Sequence, residues 1–335
     1  MLAQYALLLA SATATLAAGV PYHNGPVVSN IEITAIFYGR VPYQTTVTDY
    51  YAQITDSVYM DWLTEFNTPS QRIGRGRLVT SFNETTNIKT RLTDSTDVHD
   101  YLISLIKAGK ITPNNNSYFA IHFQQGINID YCYVVNGQNQ CGSTCSEYGA
   151  WHSFIDLSKY GISVPGVPYL YYGVMPDCGS GFDAVAASHE VIETISDPAG
   201  DNPALAAWCD TNDLSGGEIA DKCGTSGKIV GSNGKSYTVA TGWSNTYKKC
   251  IYAPVASATT SKSKTIASAS TTTASTNVAS SSRVTTASKT ASTGIPVPSG
   301  PCSTYYETKC AGGNTYLCYY WSGGSLTWKK WQSGC

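Results

Sequence analysis

The sequence predicts a mixed α/β domain followed by a small disulfide-rich module, and three observations carry that reading. Strand-patterned and helix-patterned stretches alternate over the first two-thirds of the chain. Residues 256–297 are almost entirely Ser, Thr and Ala with a few basic residues, and hold no aromatic and no acid. Such a segment cannot bury a core and reads as a linker of the O-glycosylated kind. Residues 298–335 then concentrate four cysteines and eight aromatic residues, a composition suited to a stapled module.

The elements follow in order. In VVSNIEITAIFYG, Ile31, Ile33, Ala35 and Phe37 alternate with polar or outward positions, which marks a strand. In TTVTDYYAQITDSVYMDWLTEF, Val47, Tyr50, Tyr51, Ile54, Val58, Trp62 and Phe66 recur at helical spacing. DVHDYLISLIKAGKI reads as a second helix with Asp97 as its N-cap. SYFAIHFQQG and VPYLYYGVM read as strands. Together they predict a mixed sheet with flanking helices and a Cys-rich excursion over 132–178. Ser180 and Asp183, three apart, form the signature of a capping box ahead of a helix ending at Ser196, before Asp197-Pro198.

The compartment is also legible. Residues 1–19, MLAQYALLLASATATLAAG, read as a secretory signal peptide, and no second span of that kind follows. Eleven cysteines fit an oxidising environment. Seven lie in the domain 20–255 and four in the tail, so one thiol of the large domain is left over unless it pairs across domains. Asn83 and Asn115 stand in Asn-x-Ser/Thr sequons, as glycosylation acceptors would. A net charge of -2 does not point to a nucleic-acid partner. The expected product is a secreted protein, free or held in a cell wall, without a membrane span.

The chemistry concentrates in ASHEVIETISDP, residues 187–198. On a helix His189 and Glu193 are four apart and share a face, as the two ligands of His-Glu-x-x-His do. Glu190 is then placed as a general base beside a metal-activated water. Glutamate is an acceptable zinc ligand. A further ligand is needed, and Glu218, Asp221 and His152 are the candidates. Of the remaining histidines, His23 and His99 read as surface residues and His122 as a hydrogen-bonded core residue. The competing reading is an ordinary solvated helix face.

Four segments taken in order resemble the phosphate-induced, EXORDIUM-like protein family over about residues 22–225. They are YHNGPVVSNIEITAIFYG, CGSTCSEYGAWHSF, SHEVIETISDP, and WCD followed by GEIADKC. Two departures are visible: Ala220 stands where the family usually has Gly, and the spacing from Cys145 to His152 is longer than usual. The resemblance implies a secreted or wall-associated protein, with a His-Glu motif described in microbial members as that of a metal-dependent protease.

The tail carries Cys302, Cys310, Cys318 and Cys335, enough for two bridges. So small a unit cannot bury all its aromatic residues. Tyr320, Trp321, Trp328 and Trp331 are therefore candidates for stacking on sugar rings, and the architecture resembles a small fungal carbohydrate-binding module for polysaccharide of the chitin or glucan class. A disulfide knot with aromatic core residues is the alternative.

Three functions compete. The first is a secreted zinc-dependent hydrolase, of peptidase type with a peptide substrate, tethered to wall polysaccharide. The second is a non-catalytic wall protein. The third is a structural calcium site formed by Glu193, Asp197 and Asp221, since carboxylate-rich sites favour hard cations.

Overall fold

The computed structural model describes residues 19–135, 138–200, 202–211, 217–255, 308–311, 314–321 and 325–333. The expected leader, apart from Gly19, and the linker 256–297 lie outside the described residues. The fold is mixed α/β. The order is β1 (Glu32–Tyr38), α1 (Gln44–Thr55), α2 (Val58–Asp61), β2 (Arg77–Glu84), β3 (Arg91–Thr93), α3 (His99–Lys107), β4 (Ser117–Phe123), β5 (Asn128–Val135), β6 (Gln138–Ser143), β7 (Trp151–Asp156), β8 (Tyr169–Met175), α4 (Ala184–Ser196), β9 (Ser226–Val230), β10 (Ser236–Ala240), β11 (Gly242–Ser244) and β12 (Lys249–Ile251). The main sheet runs β2-β1-β4-β8-β7. Its first four strands are parallel and the edge strand β7 is antiparallel to β8. A smaller sheet, β3-β5-β6, holds the first part of the Cys-rich excursion.

The sheet is covered on both faces. Ile36, Tyr38, Phe119, Ile121, Leu170 and Tyr172 pack with Leu102, Ile103 and Leu105 of α3. On the opposite face, Phe37 packs on His122, which meets Tyr51 of α1. This is why β1 and β4 are buried almost throughout rather than in alternation: the expected outward positions of β1 point into a second core. His122 is buried as expected, its Nε2 3.1 Å from the Tyr51 hydroxyl. Burial pushes its pKa down to about 3, so the ring is neutral.

Several local expectations need correction. The helical stretch from Gln44 does not run on to Phe66. It breaks at Asp56, restarts at α2 with Ser57 accepting a hydrogen bond from the Tyr59 amide, and passes into a 3-10 turn, Trp62–Phe66; Val58 is exposed. Asp97 is not an N-cap. It lies in a π-helical turn, Asp94–Val98, where its carboxylate accepts from the Thr93 amide and pairs with Lys89. His99 is not a surface residue: its two ring nitrogens lie 3.2 Å and 2.9 Å from the hydroxyls of Tyr160 and Tyr172. His23 is half-buried, with Nε2 2.9 Å from the Cys209 carbonyl.

Three disulfides, Cys132–Cys141, Cys145–Cys178 and Cys223–Cys250, fit an oxidising, extracellular compartment. Cys209 is the odd thiol of the large domain, free and buried. No helix among the described residues is long and apolar enough to cross a membrane. Asn83, on edge strand β2, and Asn115, in the turn before β4, are both exposed. In the tail, β13 (Thr308–Ala311), β14 (Asn314–Trp321) and β15 (Ser325–Ser333) form a three-stranded sheet, with β13 antiparallel to β14. Cys310 is disulfide-bonded. The backbones of Tyr320 and Trp321 lie in β14 and those of Trp328 and Trp331 in β15; their side chains fall outside what is described.

The helix α4 is capped by Asp183, not by Ser180. The Asp183 carboxylate accepts from the amides of Val185 and Ala186, each at 3.0 Å. Asp183→Ala is expected to lower stability by about 1 kcal/mol, whereas Ser180→Ala should be silent in urea denaturation. Equal losses from the two would restore the Ser180 cap.

Candidate metal centre

Helix α4 is fixed along its whole length. The Tyr50 hydroxyl donates to the Ala184 carbonyl and the Tyr59 hydroxyl to that of Ser188. The Ser188 hydroxyl accepts from the Ala240 amide of β10 at 2.8 Å. Val191, Ile192 and Ile195 are fully buried, each contributing roughly 1.5–3 kcal/mol. On the face carrying His189, Glu190 and Glu193, the histidine is part-buried and the two glutamates are withdrawn from water. Glu190 is 5% exposed and Glu193 2%.

Two further segments meet that face. The first is edge strand β7. Its residues alternate across the sheet, so Trp151 packs toward the α3 side while His152 turns toward α4. His152 lies opposite Gly173 of β8, where a Cβ would come within 1.9 Å of the Tyr118 hydroxyl oxygen, so this position needs glycine. The second is the stretch Gly217–Cys223, held by the Cys223–Cys250 disulfide and by the Trp243 amide donating to the Ile219 carbonyl at 2.7 Å. It carries Glu218 and Asp221. A Cβ at Gly200 would lie 2.7 Å from Glu218 Oε1, so this glycine leaves the room Glu218 occupies.

The three segments bring all six sequence-predicted residues together. His189 Nε2 lies 2.8 Å from Glu193 Oε2 and 3.3 Å from Asp221 Oδ1. His152 Nδ1 lies 3.3 Å from Glu190 Oε2 and 4.0 Å from Glu193 Oε2. His152 Nε2 lies 3.5 Å from Glu218 Oε1, an oxygen that is buried and accepts no hydrogen bond. Two sets of donors result, His152–Glu190–Glu193 and His189–Glu193–Asp221, the atoms of each within 4.8 Å of one another. Among the described residues no Lys or Arg pairs with any of the four carboxylates.

Such crowding is costly without a cation. Two ionised carboxylates whose oxygens lie within 4.8 Å of one another repel by roughly 3.5 kcal/mol or more at an effective dielectric constant of about 20. Burial, joined by the Asp221 charge and opposed by His189, pushes the Glu193 carboxyl up to about 7. Burial raises Glu218 well above the usual carboxylate range, with His152 acting against it. Burial disfavours charge on His152 and His189, but the carboxylates around them prevail and hold both rings well above the usual histidine value. Protons thus compensate the acids in the metal-free protein.

Two contacts were not readable in the sequence. Glu193 Oε1 accepts from the amides of Ala220 and Asp221, each at 3.0 Å. The Asp197 carbonyl oxygen lies 3.1 Å from His152 Nε2. The Asp-Pro pair closing α4 was the available signal for the second; nothing in the residue types marked the first. The Asp197 carboxylate is fully buried, its Oδ1 accepting from the Ala207 amide at 2.8 Å. It belongs to neither donor set, so the calcium arrangement of Glu193, Asp197 and Asp221 is not assembled. Comparisons with models of protein families, with curated proteins and with solved structures found no match.

The sign of the pH dependence follows from these shifts. His152 and His189 have folded pKa values above their unfolded ones, so their stabilisation is complete below about 6.5 and is lost as pH rises through the folded values. Glu193, raised to about 7, binds its proton more tightly when folded, and its contribution is lost from pH 4.5 upward until about 7. Both effects run the same way. Chelator-treated protein is therefore expected to melt at a lower temperature at pH 8 than at pH 5.5, and a flat profile across that range would contradict this electrostatic picture.

Proposed function

We propose that the protein is a secreted zinc-dependent hydrolase of peptidase type. The observation that carries this reading is the convergence of two histidines and four carboxylates, from three separate chain segments, with no Lys or Arg among the described residues paired with them. Imidazole nitrogens beside carboxylates suit zinc better than calcium, which takes six to eight oxygen ligands. His189, Glu193 and Asp221 would hold the ion. It would supply Lewis-acid polarisation of a carbonyl and a water acidic enough to attack at neutral pH.

The residues around that position divide the remaining work. Glu193 is oriented by the two backbone amides on Oε1, which leaves Oε2 for His189 and the ion. Glu190, buried and next to His152 Nδ1, is the base that takes a proton from the attacking water and returns it to the leaving amine. His152, anchored by the Asp197 carbonyl, holds that carboxylate in place. The resemblance to the EXORDIUM-like family supports the same site, and with it a wall-associated location. The aromatic tail would tether the enzyme to polysaccharide of the chitin or glucan class through Tyr320, Trp321, Trp328 and Trp331.

Protein secreted from a eukaryotic host and purified without chelator is expected to contain at least one zinc per chain by elemental analysis. His189→Ala should lose it. Glu190→Gln should keep that ion and lose hydrolysis in a peptide-mixture screen by about 100-fold or more. Zinc retained in full by a folded His189→Ala variant would contradict the assignment. Deletion of residues 298–335 should abolish pull-down by insoluble chitin or glucan; undiminished pull-down would remove the tail from the binding role.

A further inference from the structure

The six residues are more than one cation needs. Resting on the hydrolase reading above, we propose that the centre has a second, inner cation position formed by His152, Glu190 and Glu193, sharing Glu193 with the outer one. Three observations point to it.

The first is the donor geometry. His152 Nδ1, Glu190 Oε2 and Glu193 Oε2 form a set separate from His189, Glu193 and Asp221, and Glu193 Oε2 belongs to both. Because Glu193 Oε1 is occupied by two amides, sharing falls to the one oxygen, Oε2. The three inner side chains are each more than nine-tenths buried.

The second is the tautomer of His152. Its Nε2 lies 3.1 Å from the Asp197 carbonyl, which can only accept, so Nε2 carries the proton in the neutral ring. The lone pair is then on Nδ1, the atom that faces Glu190 and Glu193. A ligating histidine that donates its other nitrogen to a carbonyl is the usual arrangement at metal sites. Nδ1, which faces Glu190 at 3.3 Å in the metal-free protein, is thus the nitrogen that would turn from proton to cation when an ion enters.

The third is charge. Glu190, Glu193, Glu218 and Asp221 stand together with the buried Asp197 nearby, more carboxylates than one divalent cation would balance once they release their protons. A second cation would offset more of that charge, and Glu218, whose Oε1 is buried without a hydrogen bond, lies beside His152 Nε2. The inner ion would take the carboxylate that serves as the base, so zinc in excess of one equivalent would inhibit hydrolysis.

The test is the stoichiometry of the full-length protein. Equilibrium dialysis of metal-free protein against zinc, read by elemental analysis, should reach two equivalents per chain in two steps, and His152→Ala should reach one. Should that variant fail to fold, Glu190→Gln serves, with the same expectation. The wild-type protein loaded with two equivalents of Mn²⁺ should give an exchange-coupled electron paramagnetic resonance spectrum, since ions sharing a carboxylate lie about 3.5–4 Å apart. Saturation at one equivalent would overturn the inner position and leave the hydrolase reading standing, whereas no bound zinc at all would remove both. Two equivalents with uncoupled Mn²⁺, or two retained in the folded variants, would also overturn it.

Discussion

The bond pair on Glu193 Oε1 is the interaction on which the rest of the centre depends. Through it a helix from one part of the chain and a loop 27 and 28 residues later are held in one place. The two amides select one oxygen of the carboxylate, fix the rotamer and leave the other oxygen facing His189. Because the donors belong to Ala220 and Asp221 themselves, the same bonds set where the Asp221 side chain begins. Loss of those bonds would free Glu193 and Asp221 together, so the site is assembled as a unit rather than residue by residue.

The fold supports this unit from both sides. Burying α4 against the sheet demands that its polar face be covered as well as its apolar one, and β7 and the Gly217–Cys223 stretch supply that cover. An antiparallel edge strand suits the purpose. It can turn Trp151 toward one core and His152 toward the other, a division that alternation alone provides. The Cys223–Cys250 bridge then limits how far the loop can drift from the helix. A buried cluster of acids would be among the least stable parts of such a domain if left uncompensated. Tight capping of α4 and full burial of its apolar side offset that cost.

Much of this was legible in the residues, and the failures have physical causes. The pairing of His189 with Glu193 follows from helical spacing alone, and the strand and helix order from periodicity. Which of Glu218, Asp221 and His152 stands beside them is open in the sequence, because spacing along the chain does not report distance across a fold; Asp221 shares a donor set with His189 and Glu193, His152 shares one with Glu190 and Glu193, and Glu218 lies in neither. The half-exposed reading of β1 failed because a central strand covered on both faces has no outward side. Ser180 and Asp97 were placed as caps by residue type, but a cap is decided by which side chain reaches the first free amides. Asp183 reaches those of α4, and a π-helical turn carries Asp97 past α3 altogether. Backbone contacts such as the Asp197 carbonyl on His152 have no signature in residue identity.

The central claim is that these six side chains enclose a cation. It is tested most directly by an anomalous difference map from crystals of the secreted protein, with data collected on either side of the zinc absorption edge. The account predicts a peak enclosed by His189 Nε2, Glu193 Oε2 and Asp221 Oδ1 that appears only above the edge. The same six side chains in the same positions with no peak among them, in crystals grown with zinc and without chelator, would contradict it.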